Sequence, residues 1–261
     1  MKPPAVSPQQ LEAMLKRLHL ACARRSYSEL VEQAERGAWS FRDFLAALAC
    51  AEIEHRRQTR LRRCVRQARF PVLHTLEEFD FSVQPELRPL LLGSAFAPEF
   101  AAQGGCLVLK GRSGRGKTHL ATAIAYQAIL HGHDALFATA NDLVETLSLA
   151  ARNGRLRDAL AAYVRPQLLV CDAVGYLAHG PDAANVLFHV VNERHRRRRS
   201  MVFTTNKPLE LWGRVLHDPD LAEAILDRIL ERGRIVTLEG PSMRTRHLDP
   251  LPGQSDQETT S

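Results

Sequence analysis

An eight-residue stretch in the middle of the chain constrains the fold more than any other part of the sequence. It reads GRSGRGKT over residues 111–118, a complete G-x-x-x-x-G-K-[ST] match. It follows a short apolar run, Cys106 to Leu109, and opens an apolar helix pattern that extends from Thr118 to Leu130. A strand, a glycine-rich loop and a helix in this order form the phosphate-binding unit of P-loop proteins. The sequence therefore predicts an α/β fold that binds a nucleoside phosphate.

The residue types of this loop are those that a phosphate group requires. Glycines let the backbone turn so that its N–H groups point at phosphate oxygens, and the following helix adds the positive end of its dipole. We expect Lys117 to reach the β- and γ-phosphates and the Thr118 hydroxyl to hold Mg²⁺. The arginines at the variable positions, Arg112 and Arg115, are interpreted as solvated charges that face away from the nucleotide. The remaining nucleotide contacts are assigned to Gly111, Ser113, Gly114, Gly116 and His119.

Short apolar runs alternate with amphipathic helix patterns after the loop. They lie at residues 135–138, 168–171 and 201–204, and they predict a parallel sheet covered by helices on both faces. Ligands of such sheets bind at the carboxyl ends of the strands. We expect Asp172, at the end of one run, to bind Mg²⁺ through water, and Asn206, after another, to orient the attacking water. A loop cap is the alternative for the aspartate, and ordinary turn chemistry for the asparagine.

Positive charge is concentrated in the N-terminal quarter of the chain. Residues 1–69 carry fourteen Lys and Arg against seven Asp and Glu, a net charge of +7, whereas the whole chain carries +6. This quarter has helical patterns, including a helix capped by Ser40 whose second half, residues 55–69, contains seven arginines. We interpret four of these as contacts to DNA phosphates, with a solvated helix face as the alternative. They are Arg56, Arg57, Arg60 and Arg63.

A second run of basic residues, 194–199, lies at the end of a predicted helix. Cations are favourable at that end of a helix dipole for structural reasons alone, so this run is the weaker candidate for DNA contacts.

Several classes of protein are excluded by what the sequence lacks. No window approaches the eighteen consecutive apolar residues of a membrane span, and the N-terminus has no apolar signal core. The five cysteines are scattered without a C-x-x-C pair, and the histidines show no H-x-x-x-H spacing. We therefore expect a cytoplasmic protein with no membrane contact, no disulfide framework and no metal other than Mg²⁺.

Taken together, these segments make the chain similar to the IstB-like helper ATPases of insertion-sequence transposons, relatives of the DnaC helicase loaders within the AAA+ superfamily. The similarity extends over residues 10–245. Besides the P-loop and Asp172, it rests on residues 68–71, 75–81, 119–121, 175–177, 204–206 and 221–228.

The resemblance implies a nucleotide-dependent DNA-binding protein that forms a ring or spiral on duplex DNA and helps a transposase to choose its target. It identifies Arg228 as the arginine finger offered to the γ-phosphate of a neighbouring subunit, and Arg244 as a second sensor of nucleotide. Composition and pattern, together with the resemblance, predict four regions: a helical basic N-terminal domain for DNA or partner binding and self-association (1–70), a connector packed on the core (71–100), an AAA+ ATPase domain (101–246) and a disordered tail (247–261).

The sequence departs from the family pattern at the position after Asp172. The family usually has a second acid there, which polarises the attacking water, and this chain has Ala173. A methyl group cannot accept a proton, so a contribution of about 10² to 10⁴ in rate is expected to be missing. We predict binding of ATP and Mg²⁺ with slow hydrolysis to ADP and phosphate. A smaller departure is Met243, where the family tends to have tyrosine.

Two other functions are considered. A replicative helicase loader would share the ATPase core but use its N-terminal region to grip a helicase. A small-molecule P-loop kinase would leave the basic N-terminal segment and an arginine finger acting in trans without a purpose.

Overall fold

The structure, a computed structural model, describes residues 6–176 and 182–243. The chain divides into two compact units, Met1–Arg63 and Cys64–Ser261. No helix within the described ranges is both long enough and apolar enough to cross a lipid bilayer. The predicted Arg244 site and the predicted tail lie outside the described residues.

The first unit consists of helices. They are α1 (Pro8–Arg17), α2 (Ala21–Arg36) and most of α3 (Phe41–Ala68). The predicted cap of α3 is present, because the Ser40 hydroxyl oxygen accepts a hydrogen bond of 3.1 Å from the N–H of Asp43. Helix α3 ends at Ala68, just before Arg69, which has a left-handed backbone (φ 57°).

A buried carboxylate organises this unit. Glu52, on α3, accepts hydrogen bonds from the N–H groups of Cys22 (2.8 Å) and Ala23 (3.0 Å) at the start of α2. It also pairs with Arg56 at 2.9 Å, and Arg56 donates a further bond to the carbonyl of His19. Burial opposes ionisation of Glu52, but these donors together hold its pKa below the usual value. Glu52 thus acts as an N-terminal cap supplied by another helix.

The second unit is built on a five-stranded parallel sheet, which confirms the predicted fold class. The strands are β1 (Cys106–Lys110), β2 (Ala135–Thr139), β3 (Leu168–Asp172), β4 (Ser200–Thr205) and β5 (Gly233–Thr237). Their order is β2-β3-β4-β1-β5, so the P-loop strand β1 lies between β4 and β5. The sequence reading did not predict β5, an edge strand in which Val236 is the only fully buried residue.

Helices cover this sheet and enclose its core. They are α4 (Leu87–Leu92), α5 (Pro98–Gln103), α6 (Lys117–Leu130), α7 (Ala140–Arg152), α8 (Leu156–Val164), α9 (Asp182–Arg196), α10 (Trp212–Leu216) and α11 (Pro219–Glu231). Helix α6 buries eight of its fourteen residues. Trp212, Phe203 and Leu143 are among the large side chains that are completely enclosed. The rigid sheet and the buried α6 are what position the loop between β1 and α6.

Arg194 corrects the interpretation of the second basic run. It is completely buried, and its guanidinium donates hydrogen bonds to the carbonyls of Tyr163, Pro166, Gln167 and Ser200 at 2.6 to 3.1 Å. The side chain therefore joins the end of α9 to the starts of two strands. Only the later members of the run, residues 196–198, are exposed.

Candidate nucleotide-binding site

A cavity of about 670 Å³ lies at the carboxyl edge of the sheet. Its volume is within the range of small-molecule sites. Residues 113–119 of the loop and α6 form one wall, and Asp172 and Ala173, after β3, form another. The other lining residues are Pro71, Val72, His74, Tyr176, Thr204, Asn206 and Met243.

The loop between β1 and α6 has the backbone of an anion-binding turn. Gly114 and Gly116 both have left-handed conformations, with φ of 80° and 82°. Gly116 is the N-cap of α6, and no side chain within the described residues caps that helix. The first turn of α6 lines the cavity, so the positive end of the helix dipole lies beside it. This cradle fits the phosphates of a nucleotide.

The two predicted Mg²⁺ ligands lie side by side. The Thr118 hydroxyl donates to both carboxylate oxygens of Asp172, at 3.0 and 3.2 Å. The Thr204 hydroxyl donates to the same carboxylate at 2.6 Å and accepts a bond of 2.8 Å from the N–H of Ala173. Strand order explains this chain of contacts, because β3 and β4 are neighbours in the sheet.

Lys117 lies on the loop itself. Its ammonium group donates a hydrogen bond of 2.8 Å to the carbonyl of Arg112. The cation is thus held beside the cradle that the loop amides form, where the phosphates of a nucleotide would lie.

Asn206 presents an acceptor to the cavity. Its side-chain oxygen is buried and has no hydrogen-bond partner within the described residues. A Cβ on Gly175 would collide with that oxygen, so only glycine leaves room for the amide in this position. A buried acceptor without a donor fits a bound water or ligand hydroxyl at this point.

Ala173 lines the same part of the cavity with a methyl group. Its backbone is left-handed (φ 62°), a conformation that costs an L-residue about 1 kcal/mol or more. Among the described residues that line the cavity, Asp172 is the only carboxylate. The next acid along the chain after Ala173 is Asp182, which begins α9.

Arg115 differs from its prediction. The side chain is half-buried and lines the cavity, and its Nη1 atom is enclosed without a hydrogen-bond partner in the part of the chain that the structure describes. Arg112, by contrast, is exposed. The enclosed guanidinium adds positive charge to the wall that would face the phosphates.

A stacked pair of histidines forms the rim of the cavity. The rings of His119 and His74 lie parallel, with centroids 4.2 Å apart and an angle of 13° between them. The rings of Phe79 and His119 are nearly perpendicular, with their centroids 5.3 Å apart. The Nε2–H of His119 donates a hydrogen bond of 2.9 Å to the carbonyl of Thr75. Burial lowers the pKa of His119. The sequence reading assigned His119 to the nucleotide site and did not find His74.

Comparison with known proteins identifies the family. The profile of the IstB-like ATP-binding proteins matches residues 13–249. The chain belongs to this family. It is 34% identical over 230 residues to the ATP-binding protein of insertion sequence IS5376 from Geobacillus stearothermophilus, which covers 88% of this chain and 91% of the relative. It is 32% identical to that of IS21 from Pseudomonas aeruginosa, over 91% and 89% of the two chains.

Solved structures with this fold include two replication proteins. The crystal structure of the DnaC helicase loader is similar to the IstB-like chain with a TM-score of 0.53 and 21% identity, over 63% of this chain and 96% of that one. The structure of AMPPCP-bound DnaA from Aquifex aeolicus is similar with a TM-score of 0.54 and 20% identity, over 66% of this chain and 52% of that one. These TM-scores show that the chain shares its fold with both proteins, in agreement with the predicted parallel α/β architecture.

Arg228 lies outside the nucleotide cavity of its own IstB-like chain. Its guanidinium donates to the side chain of Asn192 (3.0 Å) and the carbonyl of Ala224 (2.8 Å) and lies 4.8 Å from the centre of the Phe188 ring. It borders a separate surface groove of about 720 Å³ along α10 and α11.

The four arginines predicted to contact DNA are all exposed and belong to the first unit of the IstB-like chain. The guanidinium of Arg56 also binds the carboxylate of Glu52 and the carbonyl of His19.

Proposed function

We propose that this chain binds ATP with Mg²⁺, assembles with further copies on duplex DNA and assists the transposase of an insertion sequence, with slow hydrolysis. Relatives that carry insertion-sequence names align over about nine-tenths of the chain, which supports the transposition context. The observation that carries the proposal is the pairing of Thr118 with Asp172 beside the uncapped start of α6.

The phosphates would lie on the N–H groups of the loop and of the first turn of α6, with Lys117 as the counter-charge. Mg²⁺ would be held by the Thr118 hydroxyl and, through water, by Asp172, and would neutralise charge on the phosphate oxygens. Thr204 keeps the aspartate in position through its 2.6 Å bond. Lys117, Thr118, Asp172 and Thr204 all line the same cavity, which supports this assignment.

Slow hydrolysis follows from the wall that Ala173 forms. Asn206 can orient a water, since its oxygen has no other donor among the described residues. It cannot remove a proton from that water at neutral pH, and the methyl group of Ala173 cannot either. ATP bound in this cavity would therefore persist and hold the protein in its assembled state.

Arg228 would act between subunits. It lies beside a groove that is separate from its own nucleotide cavity, so any contact with a γ-phosphate would be to a nucleotide on a neighbouring copy. Asn192 and Phe188 hold the guanidinium at the protein surface, where a neighbour could meet it.

DNA binding is assigned to the outer face of α3. Arg57, Arg60 and Arg63 recur at spacings of three residues on that helix, and all three are exposed. Arg56 is a poor test position, because its loss would also remove a partner of the buried Glu52. Replacing Arg57, Arg60 and Arg63 leaves this contact between Arg56 and Glu52 intact.

The experiment compares two variants that each lose three positive charges. One replaces Arg57, Arg60 and Arg63 with alanine, and the other replaces Arg196, Arg197 and Arg198. Duplex-DNA affinity is measured with ATP and Mg²⁺ over a salt series. The first variant is expected to bind more weakly, with a log–log salt slope smaller by about 2 to 3, and the second to resemble wild type. The reverse result, or equal losses, would contradict the assignment to α3.

A helicase loader is the second candidate, because the DnaC helicase loader shares this fold over nearly its whole length. Co-purification separates the two. Retention of a transposase encoded by the same insertion sequence supports the proposal, and retention of a replicative helicase in its place supports the alternative.

A further inference from the structure

We propose that His74, Glu78 and His119 form a binding site for a transition-metal ion of the Zn²⁺ type at the rim of the nucleotide cavity. The site is distinct from the Thr118 and Asp172 pair assigned to Mg²⁺. It does not depend on the proposed function, because a metal could bind there in the absence of nucleotide or DNA.

The three side chains converge on one point. One nitrogen of each histidine and one carboxylate oxygen of Glu78 all lie within 4.8 Å of one another. The Nδ1 of His74 is 3.7 Å from a carboxylate oxygen of Glu78. Ligand atoms around a four-coordinate Zn²⁺ lie about 3.3 Å apart, given bonds of about 2.0 to 2.1 Å. Small rotations of the exposed Glu78 and half-exposed His74 would close the remaining gap.

The backbone of Thr75 forms hydrogen bonds with two of the proposed ligands, His119 and Glu78. Its carbonyl accepts the hydrogen bond from the Nε2–H of His119, and its N–H donates to the carboxylate of Glu78 at 3.0 Å. A carbonyl can only accept, so the proton of the neutral His119 ring is on Nε2 and the free lone pair is on Nδ1. Histidines that bind metals commonly donate their other N–H to a carbonyl in this way, which fixes both the tautomer and the ring orientation.

The donor atoms decide which ion fits. Two imidazole nitrogens and one carboxylate are the ligand set of a Zn²⁺ site with an open position, and they also suit Co²⁺ and Ni²⁺. Mg²⁺ prefers oxygen ligands in octahedral geometry and is poorly served by two imidazoles. The open side faces the cavity, since both histidines line it.

An ion at this point would join two parts of the second unit. His74 and Glu78 belong to the segment before α4, whereas His119 lies in the first turn of α6, next to Thr118. Ring contacts and the hydrogen bond from His119 to Thr75 already join the two parts. Metal binding would add coordinate bonds across the same contact and stabilise the fold.

The test uses the full chain after removal of metal by a chelator and without nucleotide. Zn²⁺ is titrated by calorimetry, and Co²⁺ is titrated by its visible absorption, which reports the coordination geometry. Wild type is expected to bind one ion per chain. His74→Ala and Glu78→Gln should each weaken binding about tenfold or more. Circular dichroism and thermal unfolding without metal establish that the variants fold.

Two control variants locate the ion. His131→Ala removes an exposed histidine whose ring hydrogen-bonds to the side chain of Gln127. Asp172→Asn alters the site assigned to Mg²⁺. Both are expected to keep the Zn²⁺ affinity and the Co²⁺ spectrum of wild type. No stoichiometric binding, binding that survives both His74→Ala and Glu78→Gln, or binding lost with Asp172→Asn would each overturn the proposal.

Discussion

The two sides of the nucleotide cavity differ in completeness. On the phosphate side, the loop glycines, the uncapped start of α6 and the paired Thr118 and Asp172 are all in place. On the water side, the Asn206 oxygen has no hydrogen-bond partner among the described residues, and Ala173 lines the cavity with a methyl group where the family resemblance predicts an acid. The difference suggests a separation of roles: under the proposal, one wall of the cavity binds the nucleotide and the other wall limits its hydrolysis.

The largest expected effect is the loss of ATP affinity when Lys117, on the phosphate side, is replaced. Lys117→Ala removes the cation next to the bound phosphates and is expected to lower ATP affinity by about 100-fold or more, measured by calorimetry with Mg²⁺. Arg112→Ala is the matched control, because its side chain is exposed and its carbonyl, which Lys117 contacts, remains. Equal affinities for the two variants would remove Lys117 from the site.

The second prediction repairs the water side. Ala173→Glu restores a proton acceptor beside Asn206 and is expected to raise steady-state ATP turnover on DNA by about 10- to 100-fold. Ala173→Gln is the control, since it has the same length and cannot accept a proton at neutral pH. The account fails here if glutamine accelerates turnover as much as glutamate does, or if wild type already hydrolyses ATP rapidly.

The third prediction concerns Arg115, the charge that the structure adds to the phosphate side. Arg115→Ala is expected to weaken ATP binding about tenfold and to leave adenosine binding unchanged, because Arg115 lies in the loop wall that the proposal assigns to the phosphates. Competition binding with both ligands measures this. Unchanged ATP affinity would mean that Arg115 does not contribute to nucleotide binding.

The smallest expected effect is on the stability of the fold at Ala173, with no effect on ATP turnover. Ala173→Gly relieves the left-handed backbone, and this gain is partly offset by the greater freedom of glycine in the unfolded chain. The expected net stabilisation is about 0.5 kcal/mol in denaturant unfolding, with ATP turnover unchanged. Destabilisation would mean that the backbone at this position is not strained.

The sequence predicted those parts of the molecule whose signal is local. Four strands begin and end within one residue of the apolar runs, because each run is short and flanked by clear breaks. Strand β5 was missed because its sequence GRIVT holds only two apolar residues, Ile235 and Val236, which is too short a run to indicate a strand; it pairs with β1 at the edge of the sheet. The family supplied the importance of Ala173, which composition and spacing alone do not reveal.

Contacts between distant positions could not be predicted. In the sequence, Arg194 is one more cation in a basic run. Its four carbonyl acceptors come from α8, from the segment before β3 and from the start of β4, and they are brought together only by the fold. His74 and His119 are 45 positions apart, so no spacing rule connects them. The direction of Arg115 depends in the same way on how the loop folds around the cavity.

The nucleotide that stays on the protein tests the central claim most directly. The chain is incubated with ATP, Mg²⁺ and duplex DNA, free nucleotide is removed, and the bound nucleotide is extracted and identified by chromatography. The account predicts that the protein retains close to one nucleotide per chain and that this nucleotide is still ATP. Recovery of mainly ADP would contradict the slow hydrolysis, and recovery of no nucleotide would contradict the binding site itself.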